Sequence, residues 1–108
     1  VTISFFPMKK VEIVVERTQL KKVTKLIDSC GAVGYTIFPN VDGKGTRGIR
    51  EESINMLDVM QNAMIITVVS EENAMEIVEG LQDIFETYSG IVYVTDTQVV
   101  RKNHFEKK

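Results

Sequence analysis

The sequence predicts an α+β fold, a four-stranded antiparallel sheet with two helices on one face, and three observations lead there. Extended and helical patterns follow one another as β-α-β, a long loop, then β-α-β again, a duplicated order. The two helix-to-strand junctions repeat, as Gly31-Ala32-Val33-Gly34-Tyr35 in the first half and Gly90-Ile91-Val92-Tyr93 in the second. The extended segments are apolar at nearly every position, which marks strands covered on both faces. Two helices account for one face. With no third helix available, the other face is expected to meet copies of itself.

Taken in order, residues 9–16 alternate loosely around Val11, Ile13 and Val15, with Val14 also apolar, and read as a mostly buried strand. Residues 1–7 ahead of it are apolar and too short for a signal-peptide core with its flanks; they fit an extra strand or an N-terminal tail equally. A helix follows, with Thr18 as N-cap and Leu20, Val23, Leu26, Ile27 and Cys30 on one face. Lys21, Lys22 and Lys25 take the other face, and Gly31 stands where a helix stops. The second strand is expected over 32–38, closed by Pro39, which has no N–H for a ladder. Residues 40–58 show no clean period and form a long loop. The third strand covers 63–69. Ser70 caps the second helix, Glu71 and Glu72 favour its positive first turn, and Ala74, Ile77, Val78, Leu81, Ile84 and Phe85 form its apolar stripe. Gly90 ends it. The fourth strand runs over 91–94, a bend is expected at Asp96 and Thr97, and 98–100 reads as a short edge strand. The polar tail after Arg101 is expected to fray. Two split βαβ units pairing in this way make the ferredoxin-like (βαββαβ) arrangement.

The 108 residues are expected to fold as one domain, 1–108, around one core. Hydrophobic content of 44% with 26% charge is that of a globular chain and not of a disordered one. The net charge of −2 lacks the basic excess of a nucleic-acid binder, so no nucleic-acid partner is expected. A single cysteine, Cys30, permits no internal disulfide framework and suits a reducing cytoplasm. No apolar run approaches the roughly 20 residues that span a bilayer.

The densest chemical signal lies in the loop, Asp42-Gly43-Lys44-Gly45-Thr46-Arg47-Gly48-Ile49-Arg50. Glycines let backbone N–H groups converge on a ligand, and Lys44, Arg47 and Arg50 add positive charge, a combination that suits phosphate. It is not a Walker A sequence, and a solvated loop with incidental charges is an equal reading of the loop alone. Elsewhere the signals are structural. His104 has no acid placed beside it by the sequence. Cys30 lies on an apolar helix face and reads as core. Glu51, Glu52 and Asp58 balance Arg50 better than they would hold a metal. Met56, Met60 and Met64 read as packing. No nucleophile–base constellation is present, so no catalytic residue is assigned and the chain is not expected to be an enzyme.

Several of these segments together resemble the PII superfamily of signalling proteins. They are the run Lys10-Val11-Glu12-Ile13-Val14-Val15-Glu16, a lysine-rich amphipathic helix, Gly34-Tyr35-Thr36, Gly43-Lys44-Gly45-Thr46-Arg47 and Tyr88-Ser89-Gly90-Ile91-Val92-Tyr93. The similarity covers about residues 8 to 101 and is greatest to the PII-like regulators associated with bicarbonate transport and carboxysomes. It implies a homotrimer whose sheets pack centrally and whose adenine nucleotide lies between neighbouring subunits. By resemblance, Gly34, Tyr35 and Thr36 line the base of the T-loop (residues 39–58) beside the adenosine. Arg47 and Arg50 match arginines that hold phosphate, with Gly43, Lys44, Gly45 and Thr46 adjacent. Tyr88, Ser89 and Gly90 match the B-loop, whose backbone meets the nucleotide.

Some family features are missing. The T-loop has no tyrosine to accept a uridylyl group, and no glutamine to help chelate magnesium and 2-oxoglutarate, since Gln61 lies past it. The B-loop lacks Gly-Asp-Gly-Lys, and the C-terminal tail, 102–108, has no paired cysteines. The resemblance therefore implies a cytoplasmic trimer that takes an adenine nucleotide of the AMP, ADP or cyclic AMP class as effector and needs no obligatory cofactor. Its target would be a membrane transporter or a metabolic enzyme, met through the T-loop. A divalent-metal-binding trimer of the CutA type shares the fold and is the rival, though one histidine and one cysteine are poor ligand provision. A structural assembly subunit with no ligand is the third reading.

Overall fold

The computed structural model of the chain describes residues 3–43 and 61–105. Its elements are β1 (Phe6–Glu16), α1 (Leu20–Ser29), β2 (Thr36–Val41), β3 (Asn62–Val69), α2 (Glu71–Thr87) and β4 (Gly90–Val99), with short 3-10 turns at Arg17–Gln19 and Lys102–Phe105. The four strands form one sheet in the order β2-β3-β1-β4, every neighbouring pair antiparallel. Each βαβ unit is thus split by a strand of the other, as the ferredoxin-like arrangement requires. No described helix is long and apolar enough to cross a membrane.

Side chains alternate across a strand, and the alternation decides where the core lies. Val11, Ile13 and Val15 of β1 and Ala63, Ile65, Thr67 and Val69 of β3 are buried on one face. Val23 and Ile27 of α1 and Ala74, Ile77 and Leu81 of α2 close over that face to complete one cluster. Cys30 is buried at the end of α1 and belongs to the same cluster. Gly80 lets the two helices approach, since a Cβ there would overlap the Leu26 side chain. Gly31 ends α1 at φ +85°, a left-handed conformation that a side chain would strain. Ser70 caps α2, its hydroxyl accepting the Asn73 N–H at 3.1 Å.

The opposite face of the sheet is largely apolar and is covered by neither α1 nor α2. Glu12 stands in register with Ile66 and Tyr93, and Val14 with Met64 and Ile91. Val14, Met64 and Ile66 are half-buried in the protomer, while Phe38, Ile91 and Tyr93 are exposed. Lys10 and Glu12, paired at 3.7 Å, bring charge to this face, and Glu16 stands on it opposite Asn62.

Several sequence-based boundaries are corrected. Thr18 is not the N-cap: the chain enters a 3-10 turn at Arg17, and Gln19 occupies the cap position without a side-chain bond. The turn is held there because the Arg17 N–H donates to the Gln61 carbonyl at 2.8 Å. β2 begins at Thr36 and not at Ala32, and it continues through Pro39 to Val41. The register breaks between Phe38 and Val41, so Pro39 holds no ladder position on this edge strand. β4 does not bend at Asp96. β1 starts as early as Phe6, which places Phe6 and Pro7 in a strand and gives Asp96, Thr97, Gln98 and Val99 partners in Lys9, Met8, Pro7 and Phe6. The tail folds into a 3-10 turn in which the His104 N–H donates to the Arg101 carbonyl at 3.0 Å. Most of the expected loop, residues 44–60, lies outside the described residues.

Candidate functional site

The twelve residues expected to bind a nucleotide fall into three groups. Gly34 and Tyr35 occupy the connection from α1, and Thr36 opens β2; all three are exposed. They sit here because α1 stops at Gly31 and Ala32 is pulled into the core at 3% exposure, leaving the next residues to run along the outer edge of β2. Gly43 follows β2, exposed and with no described atom within 4 Å of its Cβ position. Lys44, Gly45, Thr46, Arg47 and Arg50 lie outside the described residues. Tyr88, Ser89 and Gly90 join α2 to β4, with the Tyr88 N–H closing the last helical turn on the Ile84 carbonyl at 2.9 Å.

The first and last groups lie on opposite edges of the sheet. β2 is one outer strand and β4 the other, with β3 and β1 between them. Three strand spacings separate them, about 14 Å at roughly 4.8 Å each. One protomer therefore does not bring Gly34, Tyr35 and Thr36 together with Tyr88, Ser89 and Gly90. Two concavities flank Lys9 and Glu71, one lined also by Ala74, Met75, Val78 and Val94, the other by Pro7, Met8 and Asp96. None of the described residues among the twelve lines either.

The glycines differ in what the protomer asks of them. A Cβ at Gly90 would overlap the Phe85 ring, so packing alone requires glycine there. At Gly34 nothing lies within 4 Å of the Cβ position, and its φ is not left-handed. Neither packing nor backbone conformation within the protomer demands glycine at 34.

Two arrangements escaped the sequence reading. Thr67, 2% exposed on β3, donates its Oγ1–H to the Gly34 carbonyl at 2.7 Å. Its signal was a single hydroxyl in the otherwise aliphatic run Ala63-Met64-Ile65-Ile66-Thr67-Val68-Val69. The Arg17 guanidinium donates to Asn40 Oδ1 at 3.2 Å and to Gln61 Oε1, joining the end of β2 to the residue that leads into β3. No local pattern announces it, since the three residues are far apart in sequence. Lys9 and Asp96 pair across β1 and β4, and this bond raises the Lys9 pKa above its ordinary value, with the Asp96 and Glu71 charges adding to the shift against partial desolvation.

Residues 8–104 match the nitrogen regulatory protein P-II family. The fold superposes on that of CPII, a nitrogen regulatory PII-like protein from Thiomonas intermedia bound to ADP, AMP and bicarbonate, with a TM-score of 0.85 and 39% identity over 98% of this chain and 100% of that one. A PII-like signaling protein from Thermus thermophilus gives a TM-score of 0.76 and 39% identity, over 94% of this chain and 98% of that one. A UPF0166 protein from Methanocaldococcus jannaschii is 28% identical over 80% of this chain and 79% of its own length.

Proposed function

The chain belongs to the nitrogen regulatory protein P-II family, and from that premise we propose that it is a regulator that binds an adenine nucleotide between the subunits of a homotrimer. One observation carries the intersubunit reading: the two described groups of candidate residues sit on opposite edges of one sheet. Bringing the β2 edge of one copy to the β4 edge of the next joins Gly34, Tyr35 and Thr36 to Tyr88, Ser89 and Gly90 in one cleft. The apolar face with Val14, Ile66 and Tyr93 then turns inward and loses its contact with water. The presence of ADP and AMP in the CPII structure supports an adenine nucleotide of that size as the ligand.

In this reading the protein acts by binding and not by catalysis. The adenosine lies along the backbone at Gly34, and Arg47 and Arg50 of the T-loop take the phosphate as charge-assisted donors. The T-loop conformation favoured by the nucleotide then decides whether the loop docks on a transporter or metabolic enzyme in the cytoplasm, a ligand-driven switch of a segment. The nucleotide shifts that balance only as far as it prefers one loop state over the other.

Isothermal titration of the chain with ADP, AMP, cyclic AMP and ATP, and separately with zinc and copper ions, tests the proposal. Saturable binding of an adenine nucleotide with one site per chain is the expected result. Tight binding of zinc or copper with no nucleotide response would replace this reading with the metal-binding one.

A further inference from the structure

We propose that Thr67 is a positioning residue for the nucleotide site: its buried hydroxyl fixes the backbone at Gly34, and through it the surface offered to the ligand. The inference rests on the nucleotide reading above and adds a residue that touches no ligand. Thr67 projects from β3 toward the helices, beneath the sheet, at 2% exposure. Its hydroxyl donates to the Gly34 carbonyl at 2.7 Å, a short and well-formed O–H···O bond.

That bond replaces a missing ladder. β2 and β3 are in register from Thr36 opposite Ile66 onward, and the pairing does not extend back to Gly34. Without a ladder partner an exposed connection samples many conformations. Gly34 is the residue with the widest choice, having no Cβ to restrict it. The Thr67 hydroxyl removes that freedom at one point, from below. On its other side Gly34 has no described atom within 4 Å of its Cβ position. The result is a stretch of bare backbone held by a core residue and presented outward, next to Tyr35 at 39% exposure and Thr36. A ligand that approaches such backbone closely gains most when the backbone is already in place, because ordering is then not charged against binding.

A crossed pair of variants tests this. Thr67→Val keeps the shape and buries a methyl in place of the hydroxyl, costing only the one bond to Gly34, so the fold is expected to persist. Thr67→Ser keeps the hydroxyl and loses a buried methyl, so its melting temperature is expected to fall. Titration with ADP and AMP should show Thr67→Val binding roughly three- to tenfold more weakly than the parent, the scale of one neutral hydrogen bond. Thr67→Ser should bind like the parent despite its lower stability. Amide exchange at Tyr35 should quicken in Thr67→Val relative to the parent and match the parent in Thr67→Ser. Affinity that follows melting temperature and not the hydroxyl overturns the inference, as does parent-like binding by Thr67→Val. A parent chain that binds neither ADP nor AMP overturns the nucleotide reading, and this inference with it.

Discussion

Arg17 and Gln61 are bonded twice, once through the backbone and once through their side chains. The Arg17 N–H donates to the Gln61 carbonyl at 2.8 Å, and its guanidinium donates to Gln61 Oε1. The same guanidinium reaches Asn40 Oδ1 at 3.2 Å. One side chain at the β1–α1 turn therefore ties together the residue that leads into β3 and the last residues of β2. All three residues are exposed, so the energetic effect is modest. Arg17→Ala should lower stability by about 1 kcal/mol or less, because the backbone bond to Gln61 survives. The change should be felt locally, as faster amide exchange at Val41 and Asn62, the last pair of the β2–β3 register. Exchange at these amides equal to that of the parent would mean that the guanidinium bonds add nothing to strand closure.

What the sequence made legible was governed by local chemistry. Ser70 with Glu71 and Glu72 after it, Gly31 at the end of α1 and the aliphatic run of β3 are each read from neighbours in the chain, and each stands where expected. Thr18 misled because a good capping residue was judged without the bond from Arg17 to Gln61, which holds residues 17–19 in a 3-10 turn. Asp96 and Thr97 looked like a bend because turn-forming residues were weighed without β1, whose early start at Phe6 supplies partners for them. The connection ahead of β2 is bonded at Gly34 by Thr67, a contact across 33 positions that no local pattern reveals. In the site, Gly34, Tyr35 and Thr36 were recognisable as a motif, and their distance from Tyr88, Ser89 and Gly90 follows from the strand order of the split βαβ arrangement, which the element order implies and no single motif encodes.

Lys9 and Asp96 give the pH dependence a sign. The Asp96 carboxylate accepts a hydrogen bond from the Lys9 ammonium and raises its pKa above the ordinary 10.5. A raised lysine pKa stabilises the folded state fully below that ordinary value, and the contribution disappears as pH rises through the folded-state pKa. Melting temperatures measured from pH 9 to pH 12 should therefore fall more steeply in the parent than in Asp96→Asn, with the two curves meeting at the alkaline end. Curves that remain parallel throughout would show that the pair is too well solvated to matter.

Assembly is tested on the uncovered face. Tyr93 is 53% exposed in the protomer and in register with Glu12. Sedimentation of the parent should give a species of about three times the 12.2 kDa chain. Tyr93→Glu leaves the helix-side core untouched and places a second carboxylate opposite Glu12, so burying that face becomes unfavourable. The variant should sediment as a folded 12.2 kDa monomer with unchanged helical circular dichroism. A parent that is monomeric at micromolar concentration removes the trimer and its intersubunit cleft together.

The phosphate end of the site gives the sharpest test. Arg47 and Arg50 lie in a glycine-rich stretch, outside the described residues, and the family resemblance assigns both to phosphate. Each would act as a charge-assisted donor, worth roughly 1.5–3 kcal/mol, or about ten- to a hundredfold in affinity. Arg47→Ala and Arg50→Ala should each weaken ADP binding by that order in calorimetry. The sedimenting species should be unchanged, since neither residue belongs to an apolar stripe. Adenosine separates the two ends of the ligand: lacking phosphate, it should bind weakly to the parent and respond to neither arginine substitution, while remaining sensitive to Thr67→Val. Lys44→Ala is expected to have the smallest effect, because a flexible ammonium steers an anion without the two-pronged geometry of a guanidinium. If both arginine variants bind ADP as the parent does, Arg47 and Arg50 are solvated charges. The phosphate would then have to be held from the other end of the chain, where Arg101 begins the turn that follows β4.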